Sequence, residues 1–271
     1  MLLAVDVGNT DTVFGVWQND EWTHIFRVRS LTDEGAPHYE TKLRLHFLEA
    51  NLLISDVQTT VLSSVVPPLT PVLRTMLLGL FGMPPVVVGP EVYPGLKVEI
   101  DHPHEIGSDL VANAVAAYTK YGRNAVVVDF GTALTFTTVS GDGRILGVAI
   151  APGLKTAVKA LFSNTAQLPE VPLKLPESAI GKNTTHAIQA GILLGYESLV
   201  RGMITRIRRE LDGDCIALAT GGLSSIIDTL HGEFVEVNRS LTLDGLRIIG
   251  ERVSGLTNEY VEGARRSLAP S

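Results

Sequence analysis

One stretch near the middle of the chain constrains the fold more than any other: VVVDFGTALTFTTV, from Val126 to Val139. It opens with a valine-rich apolar run that is too short for a buried helix and is typical of an interior strand. The run after the interruption is rich in β-favouring threonine and phenylalanine. An acidic group, a glycine and a hydroxyl, namely Asp129, Gly131 and Thr132, therefore fall at the turn of a predicted hairpin.

This combination of groups at one turn indicates phosphate handling. Glycine lets the backbone approach a ligand closely, and its amide N–H can face a phosphate. The carboxylate of Asp129 would repel a phosphate directly, so we interpret it as a ligand for a cation.

The N-terminus carries the same strand–turn–strand pattern. The apolar run Leu2–Val5 predicts a strand, and Thr12–Trp17 predicts its return strand. The turn residues between them are Asp6, Gly8, Asn9 and Thr10. A single Asp-x-Gly turn is uninformative, because these residues dominate ordinary turns. Two copies in the same strand context, one near the start of each half, favour phosphate binding by two related domains.

Composition limits the class of protein and its partners. The 271 residues suffice for one large or two modest domains, and 45% hydrophobic with 19% charged residues excludes a disordered chain or a coiled coil. A net charge of −7 without a basic block argues against nucleic acid as the main partner. We expect no membrane span and no signal peptide, because the apolar runs are too short and Asp6 interrupts the first of them.

The single cysteine, Cys215, excludes an intrachain disulfide and predicts a reducing, cytoplasmic environment. It lies in the apolar run Cys215–Ala219, and we interpret it as a packed core residue.

The remaining pattern alternates helices and strands. The first predicted helix is Pro37–Asn51, with Leu43, Phe47 and either Leu45 or Leu48 inward. The other predicted helices are Pro71–Leu80, one capped by Ser108 or Asp109, one running to about Phe162 with Pro152 near its first turn, a long helix from Thr184 or Thr185, one ending at Leu230, and Thr242–Arg252. The further predicted strands are Trp22–Val28, Val57–Val66, Pro85–Val88, Gly143–Ile150, Cys215–Ala219 and Phe234–Val237. We place the first domain at residues 1–115 and the second at residues 116–271.

Spacing alone does not decide the role of three residues in two of the predicted helices. Asp109 is either a cap or first-turn acid stabilised by the helix dipole, or a chemical group at the domain junction. In the long helix, Gly191 and Gly195 permit close approach of another segment, either in the core or at a subunit interface. The predicted apolar stripe of that helix is Ile188, Ile192, Leu199, Met203, Ile207 and Leu211.

A series of short segments, in this order over nearly the whole chain, resembles the type III pantothenate kinases of the acetate kinase, Hsp70 and actin superfamily. The segments are DVGNT at Asp6–Thr10, SSVVP at Ser63–Pro67, PHEIGSD at Pro103–Asp109, DFGTALT at Asp129–Thr135, APGL at Ala151–Leu154, TAQLP at Thr165–Pro169, GKNT at Gly181–Thr184, QAGI at Gln189–Ile192, TGG at Thr220–Gly222 and LTLDGL at Leu241–Leu246.

The resemblance implies an α/β fold of two ribonuclease H-like (actin-like ATPase) domains, with mixed sheets flanked by helices and ATP in the cleft between them. It implies transfer of the γ-phosphoryl group of ATP to the primary hydroxyl of pantothenate, the first step of coenzyme A synthesis. It also implies Mg²⁺, a monovalent cation (K⁺ or NH₄⁺) and a homodimer whose substrate pocket lies near the subunit interface.

The same resemblance assigns roles to single residues. Asp109 is the implied general base, Asp129 the ligand of the monovalent cation, and Asp6 helps to place Mg²⁺. The implied ATP-binding residues are Asp6, Val7, Gly8, Asn9, Thr10, Asp11, Thr12, Val13 and Thr132. The implied pantothenate-binding residues are Ile100, Gly107, Ser108, Asp109, Leu110 and Thr184.

Several positions depart from the family pattern, mostly on the substrate side. Where the family usually has Gly-Ala-Asp-Arg, Gly107–Leu110 reads Gly-Ser-Asp-Leu, and leucine supplies neither the charge nor the donors of arginine. Ile100 stands where tyrosine is usual and His102 where asparagine is usual. After the second phosphate turn, Leu134 and Thr137 replace a threonine and an aspartate.

Three functions stay open at this point. The chain is an active pantothenate kinase with altered pocket residues, a superfamily kinase or phosphatase for another small hydroxylated substrate, or a non-catalytic nucleotide-binding homologue. Retention of Asp6, Asp109, Asp129 and Thr184 favours the first, and Leu110 is the best argument for the third.

Overall fold

The computed structural model describes residues 1–89, 92, 96–165, 168–211, 213–222 and 228–267. Contacts between residues divide the chain into two compact units, each built on its own sheet. The first unit comprises Met1–Leu96, His102–Ala116 and Thr242–Ser271, and the second comprises Lys97–Asp101 and Ala117–Leu241.

The sheet of the first unit has the strand order β3-β2-β1-β4-β5. Its strands are β1 Leu2–Val7, β2 Asp11–Gln18, β3 Glu21–Arg29, β4 Thr59–Ser64 and β5 Val86–Val87. The first three form an antiparallel meander, and β4 and β5 add in parallel to β1. The predicted N-terminal hairpin and its third strand are confirmed.

Helices α1 (Ala36–Glu49) and α2 (Leu69–Phe81) supply buried side chains to the core of this unit. Their inward residues recur at helical spacing, and in α1 these are Tyr39, Leu43 and Phe47. The expectation that Leu45 or Leu48 also points inward is wrong, since their side chains are 47% and 75% exposed. Tyr39, four residues before Leu43, takes the third inward position because it lies on the same helical stripe.

The helices α3 (Ser108–Tyr121, in this unit as far as Ala116) and α7 (Leu241–Ser267) pack closely together. A Cβ atom on Gly245 of α7 would lie 1.9 Å from the carbonyl oxygen of Ala112, so only glycine permits this contact. The indole Nε1–H of Trp22 also donates a 2.7 Å hydrogen bond to Asp244.

These contacts explain why the compact units differ from a division at residues 115 and 116. The segment from Thr242 onward contacts the first unit although it ends the chain. Lys97–Asp101 belongs to the second unit because the short strand β6 (Lys97–Val98) pairs with β9 of that unit. Both assignments depend on long-range pairing, which a linear division of the sequence does not include.

The sheet of the second unit has the order β11-β10-β7-β8-β9-β6. Its other strands are β7 Ala125–Phe130, β8 Ala133–Val139, β9 Arg144–Pro152, β10 Ile216–Thr220 and β11 Glu236–Val237. Strands β7, β8 and β9 form an antiparallel meander, and β10 and β11 add in parallel. Apart from β6, this repeats the order of the first sheet, so the prediction of mixed α/β architecture built on a repeated strand pattern is confirmed.

The long predicted helix is continuous in sequence but not in helix type. It consists of α5 (Thr184–Gln189), a π-helical segment (Ala190–Leu194) and α6 (Gly195–Glu210). Of the predicted stripe only Ile188 is buried, and Ile192, Leu199, Met203, Ile207 and Leu211 are partly buried. The larger apolar side chains that are buried after Ile188 are Leu193, Tyr196, Val200 and Ile204. The wider π turn adds one residue, so the inward stripe shifts by one position after Ile188.

Three other expectations meet the structure in part. Helix α4 runs over Leu154–Ser163, and Pro152, predicted near its first turn, is the last residue of β9. The predicted helix ending at Leu230 lies partly outside the described residues; the described part is a 3₁₀ turn at Asp228–Glu233. A Cβ on Gly191 or Gly195 would meet no atom within 4 Å in the described chain, so core packing does not explain these glycines.

The predicted core role of Cys215 is confirmed. Its side chain is buried, and this burial raises the pKa of the thiol to about 11. Among the helices of the described residues, none has both the length and the apolar composition that a bilayer crossing requires.

Candidate active site

Asp6 lies near the end of β1, within the strand and not in the turn that follows it. It stands opposite Val13 of β2 and Ser63 of β4 in the sheet register. The turn itself is closed by a hydrogen bond from the Gly8 N–H to the Asp11 carbonyl oxygen at 3.1 Å. The chain thus presents a carboxylate at a strand end immediately before a glycine turn.

The predicted phosphate loop divides into exposed and buried positions. Asn9 and Thr10 are exposed at the turn, and Gly8 is half-buried. The side chains of Val7 and Thr12 are fully buried, and the Thr12 hydroxyl lies 3.0 Å from that of Ser30. Any ligand contact of Val7 or Thr12 is therefore restricted to their backbone groups.

Ser108 is connected to Asp6 by hydrogen bonds through Ser63. The Ser63 hydroxyl donates to Asp6 Oδ1 at 2.9 Å and lies 2.9 Å from the Ser108 hydroxyl. The Ser64 N–H also donates to Ser108 Oγ, at 3.0 Å. Ser108 is 7% exposed, so its hydroxyl is used inside the protein.

Asp109 is the second residue of α3. The carbonyl of Gly107 accepts hydrogen bonds from the N–H groups of Leu110 (3.1 Å) and Val111 (3.2 Å). Gly107 therefore takes the N-cap position, and the expectation that Ser108 or Asp109 caps the helix is wrong. Glycine is permitted at an N-cap, and both predicted residues move into the first turn.

The carboxylate of Asp109 folds back toward the start of its own helix. Its Oδ1 accepts a 2.8 Å hydrogen bond from the Leu110 N–H and lies 2.4 Å from the place that a Cβ on Gly107 would occupy. Burial raises the pKa of Asp109 above its ordinary value, and the bond from the Leu110 amide opposes this shift. A carboxylate with a raised pKa is a stronger base.

The two pocket positions where the chain departs from the family pattern have different surroundings. Leu110 is 7% exposed and packs in the interior of the first unit. Ile100 is half-buried and belongs to the short segment Lys97–Asp101 of the second unit. At position 110 the apolar side chain fills packed space, so the loss of a charged group leaves no open hole there.

The second turn, at Gly131 and Thr132, is held by the start of α4. Gly153 N–H and the Thr156 hydroxyl both donate to the Thr132 carbonyl, at 3.0 and 2.8 Å. A Cβ on Gly153 would lie 2.3 Å from the carbonyl oxygen of Gly131. Thr132 itself is exposed, so its side chain can contact a ligand.

Asp129 is the last residue but one of β7 and is enclosed by neighbouring strands. It stands opposite Thr135 of β8 and Thr220 of β10. Gly221 follows at φ +91°, and a Cβ there would lie 2.4 Å from Asp129 Oδ1. The Thr135 hydroxyl is buried without a hydrogen-bond partner in the described structure, so this face holds an oxygen whose bonding capacity is unused.

Thr184 begins α5, where Asn183 is the N-cap and accepts a 2.9 Å hydrogen bond from the His186 N–H. Thr184 lines a cavity of about 570 Å³ in the second unit. The walls combine apolar residues of α4, α5 and the π-helical segment with the polar side chains of Lys182 and Asn183.

The structure thus gathers the predicted residues into three places. Asp6, Gly107, Ser108 and Asp109 meet in the first unit, while Asp129 and Thr132 flank one turn of the second and Thr184 lies at the cavity. The sequence patterns assign no role to Ser63 or Gly153, although these residues lie in the segments SSVVP and APGL. Within the described part of the chain, no three His, Cys, Asp or Glu residues cluster as a metal site.

Comparison with known proteins identifies relatives over most of the chain. The family model for type III pantothenate kinase matches residues 2–206. The type III pantothenate kinase of Moorella thermoacetica is 44% identical over 93% of this chain and 99% of that protein. The one of Geobacter sulfurreducens is 41% identical over 93% and 99%.

Solved structures show the same fold at low sequence identity. MreB 5 of Spiroplasma citri, solved with AMPPNP bound, has a TM-score of 0.55 at 10% identity and covers 95% of this chain and 98% of its own. The ethanolamine utilization protein EutJ of Carboxydothermus hydrogenoformans has a TM-score of 0.52 at 15% identity, covering 92% and 89%.

Proposed function

The chain belongs to the type III pantothenate kinase family, and we propose that it phosphorylates pantothenate to 4'-phosphopantothenate with ATP, using Asp109 as general base. The observation that carries the residue assignment is the half-buried Asp109 carboxylate, with its raised pKa, in the first turn of α3. Phosphoryl transfer needs mainly positioning and charge neutralisation, with one group to receive the proton of the attacking alcohol.

The reaction balances with these residues. The primary hydroxyl oxygen of pantothenate forms a bond to the γ-phosphorus of ATP, and the bond from that phosphorus to the β,γ-bridging oxygen breaks. The hydroxyl proton passes to the Asp109 carboxylate, and ADP leaves with the electron pair of the broken bond. Proton transfer to a carboxylate suffices because the hydroxyl becomes acidic as the new P–O bond forms.

ATP and Mg²⁺ are assigned to the two glycine turns. The exposed turn at Asn9 and Thr10 and the exposed Thr132 offer backbone and hydroxyl groups to phosphate oxygens. Asp6 would hold Mg²⁺, which neutralises charge on the transferred phosphoryl group when it is bound. Asp6 fits this role because carboxylate oxygens are preferred Mg²⁺ ligands.

We assign a monovalent cation to Asp129. The carboxylate supplies one oxygen, and the unpartnered buried hydroxyls of Thr135 and Thr137 face the same side of β8. These hydroxyls lack a hydrogen-bond partner in the described structure, which supports a cation or water as their missing partner.

Pantothenate is assigned to the groups around Asp109 and to the cavity at Thr184. That cavity, about 570 Å³, has the size that small-molecule ligands use and mixes apolar walls with a few polar groups. We propose a homodimer on the family resemblance, and the exposed Gly191 and Gly195 leave room for another segment to approach this helix. A cytoplasmic enzyme of coenzyme A synthesis fits the buried, unreactive thiol of Cys215.

A coupled ADP-release assay with and without pantothenate tests the proposal. We expect ADP release that depends on pantothenate and saturates with it. ATP binding without pantothenate-stimulated release would instead favour a non-catalytic homologue, which the buried Leu110 in place of arginine makes the specific alternative. Release stimulated only by other small alcohols would assign a different substrate.

Replacing K⁺ and NH₄⁺ by choline at constant ionic strength is expected to lower kcat by about tenfold or more, because a bound cation offsets phosphate charge. Asp129→Asn should have low activity that no longer responds to K⁺. Asp33→Asn, which neutralises an exposed carboxylate in a turn, serves as the control and should keep the wild-type response. An enzyme equally active in choline would contradict the role of Asp129.

A further inference from the structure

Three hydroxyl and carboxyl groups from distant parts of the first unit form one hydrogen-bonded chain. Asp6 and Ser63 stand opposite each other at the ends of the parallel strands β1 and β4. Ser108 reaches them from the first turn of α3. Ser63 is fully buried and Ser108 nearly so, which makes the chain a fixed internal feature.

The hydrogen bonds that connect Ser64, Ser108, Ser63 and Asp6 all donate in the same direction, toward Asp6. The Ser63 hydroxyl donates its single hydrogen to Asp6 Oδ1, so at its other contact Ser63 Oγ must accept. Ser108 therefore donates to Ser63 across 2.9 Å, while Ser108 Oγ accepts from the Ser64 N–H at 3.0 Å. The order is Ser64 N–H, Ser108 O–H, Ser63 O–H, Asp6 carboxylate.

The pairing of the strands explains why the Ser64 N–H donates to Ser108 instead of to a neighbouring strand. Among the residues that the structure describes, β5 pairs with β4 only at Val61 and Leu62, so β4 extends beyond β5 on that side. The Ser64 N–H then needs an acceptor from outside the sheet, because a buried backbone donor is costly to leave unpaired. Ser108 Oγ is that acceptor, and α3 is thereby fixed to the end of β4.

We infer that Ser63 and Ser108 are positioning residues that connect the nucleotide-side carboxylate Asp6 to the helix turn carrying Asp109. This inference rests on the proposed function, in which Asp6 places Mg²⁺-ATP and Asp109 receives the proton. Ser63 holds the Asp6 carboxylate in one orientation, and Ser108 holds Ser63 in turn. Because Asp109 follows Ser108 directly, the same bonds fix the start of the helix that bears the base.

The test measures the affinity for the Mg²⁺ complex of AMPPNP, a non-hydrolysable ATP analogue, by calorimetry, together with kcat, KM for ATP and Tm. Ser63→Ala is expected to weaken AMPPNP binding about tenfold, because it removes a hydrogen bond to a charged group. Ser108→Ala, whose hydroxyl reaches Asp6 only through Ser63, is expected to weaken binding about threefold.

The double variant distinguishes positioning from simple stabilisation. In the Ser63→Ala background, Ser108→Ala should have no further effect on AMPPNP affinity, because the connection is already broken. Independent, multiplying losses would overturn the inference, as would lower Tm values with unchanged affinity. Ser63→Cys, which keeps the volume but donates weakly, replaces Ser63→Ala if the latter does not fold.

The control and the wild type separate the possible failures. Ser140→Ala also removes a buried serine hydroxyl that donates to an aspartate, Asp142, and should leave AMPPNP affinity unchanged. Wild-type protein without pantothenate-dependent ADP release would refute the proposed function alone, since AMPPNP affinity still reports on the Ser63–Ser108 connection. Normal wild-type turnover with unaffected serine variants would refute the connection alone.

Discussion

Asp109→Asn is expected to lower kcat by about 100- to 10,000-fold while AMPPNP affinity stays within about threefold of the wild type. The asparagine keeps the shape of the side chain and can still accept the hydrogen bond from the Leu110 N–H through its carbonyl oxygen. It cannot receive the alcohol proton. Steady-state ADP release and calorimetry with the same preparation measure the two quantities.

Glu105→Gln is the matched control, because it neutralises an exposed carboxylate four residues before Asp109. It should retain wild-type kcat. A comparable loss in Glu105→Gln would attribute the effect to local charge, and an unchanged kcat in Asp109→Asn would end the general-base assignment.

The raised pKa of Asp109 adds a stability effect with a definite sign. The folded state holds the Asp109 proton more tightly than the unfolded state, so the folded protein loses stability as pH rises from the unfolded to the folded pKa. The loss persists at neutral pH, and asparagine removes it. Asp109→Asn should therefore raise Tm at pH 7 but not below the ordinary aspartate pKa of about 4; a lower Tm at pH 7 would contradict the direction of the shift.

The raised pKa of Asp109 also determines how kcat/KM depends on pH on the acid side. A general base must be ionised, so kcat/KM should fall as pH decreases through the raised pKa of Asp109. The fall is expected at higher pH than the ordinary value for an aspartate would give.

Gly221→Ala is expected to lower the free energy of unfolding by about 2–4 kcal/mol and to lower turnover together with its K⁺ dependence. The added Cβ meets two obstacles: a φ of +91°, which L side chains rarely adopt, and contacts of 2.4 Å with Asp129 Oδ1 and 2.7 Å with the Phe130 backbone. The Asp129 carboxylate must move to relieve the overlap. Chemical denaturation and ADP release with and without K⁺ measure both effects.

Substitutions at two other glycines distinguish the effect of backbone strain from the effect of the close contacts with Asp129. Gly213→Ala meets a similar φ of +86° without any atom within 4 Å, so it reports backbone strain alone. Gly222→Ala has neither obstacle and should be nearly neutral. If Gly221→Ala is no worse than Gly213→Ala in stability and keeps full K⁺ dependence, the close packing of Gly221 on Asp129 has no functional consequence.

The two sheets show how much of the fold a repeated local sequence pattern could predict. The strand–glycine turn–strand segments at Asp6 and Asp129 were recognisable in the sequence because each consists of neighbouring residues. Each became an antiparallel hairpin that starts a mixed sheet, and the strand orders β3-β2-β1-β4-β5 and β9-β8-β7-β10-β11 correspond. The helix stripe of α6 was less predictable, since a π turn changes the phase without an evident signal in the sequence.

The sequence by itself determined the family, the strand–turn–strand hairpins and the identity of the acidic residues, because these depend on local order and residue type. Only the tertiary structure decided that Ser63 and Ser108 bind each other beside Asp6, that Gly221 packs on Asp129, and that the segment from Thr242 onward belongs to the first unit. Such contacts join residues far apart in the chain, and their geometry is set by how strands and helices pack, which local sequence patterns do not encode.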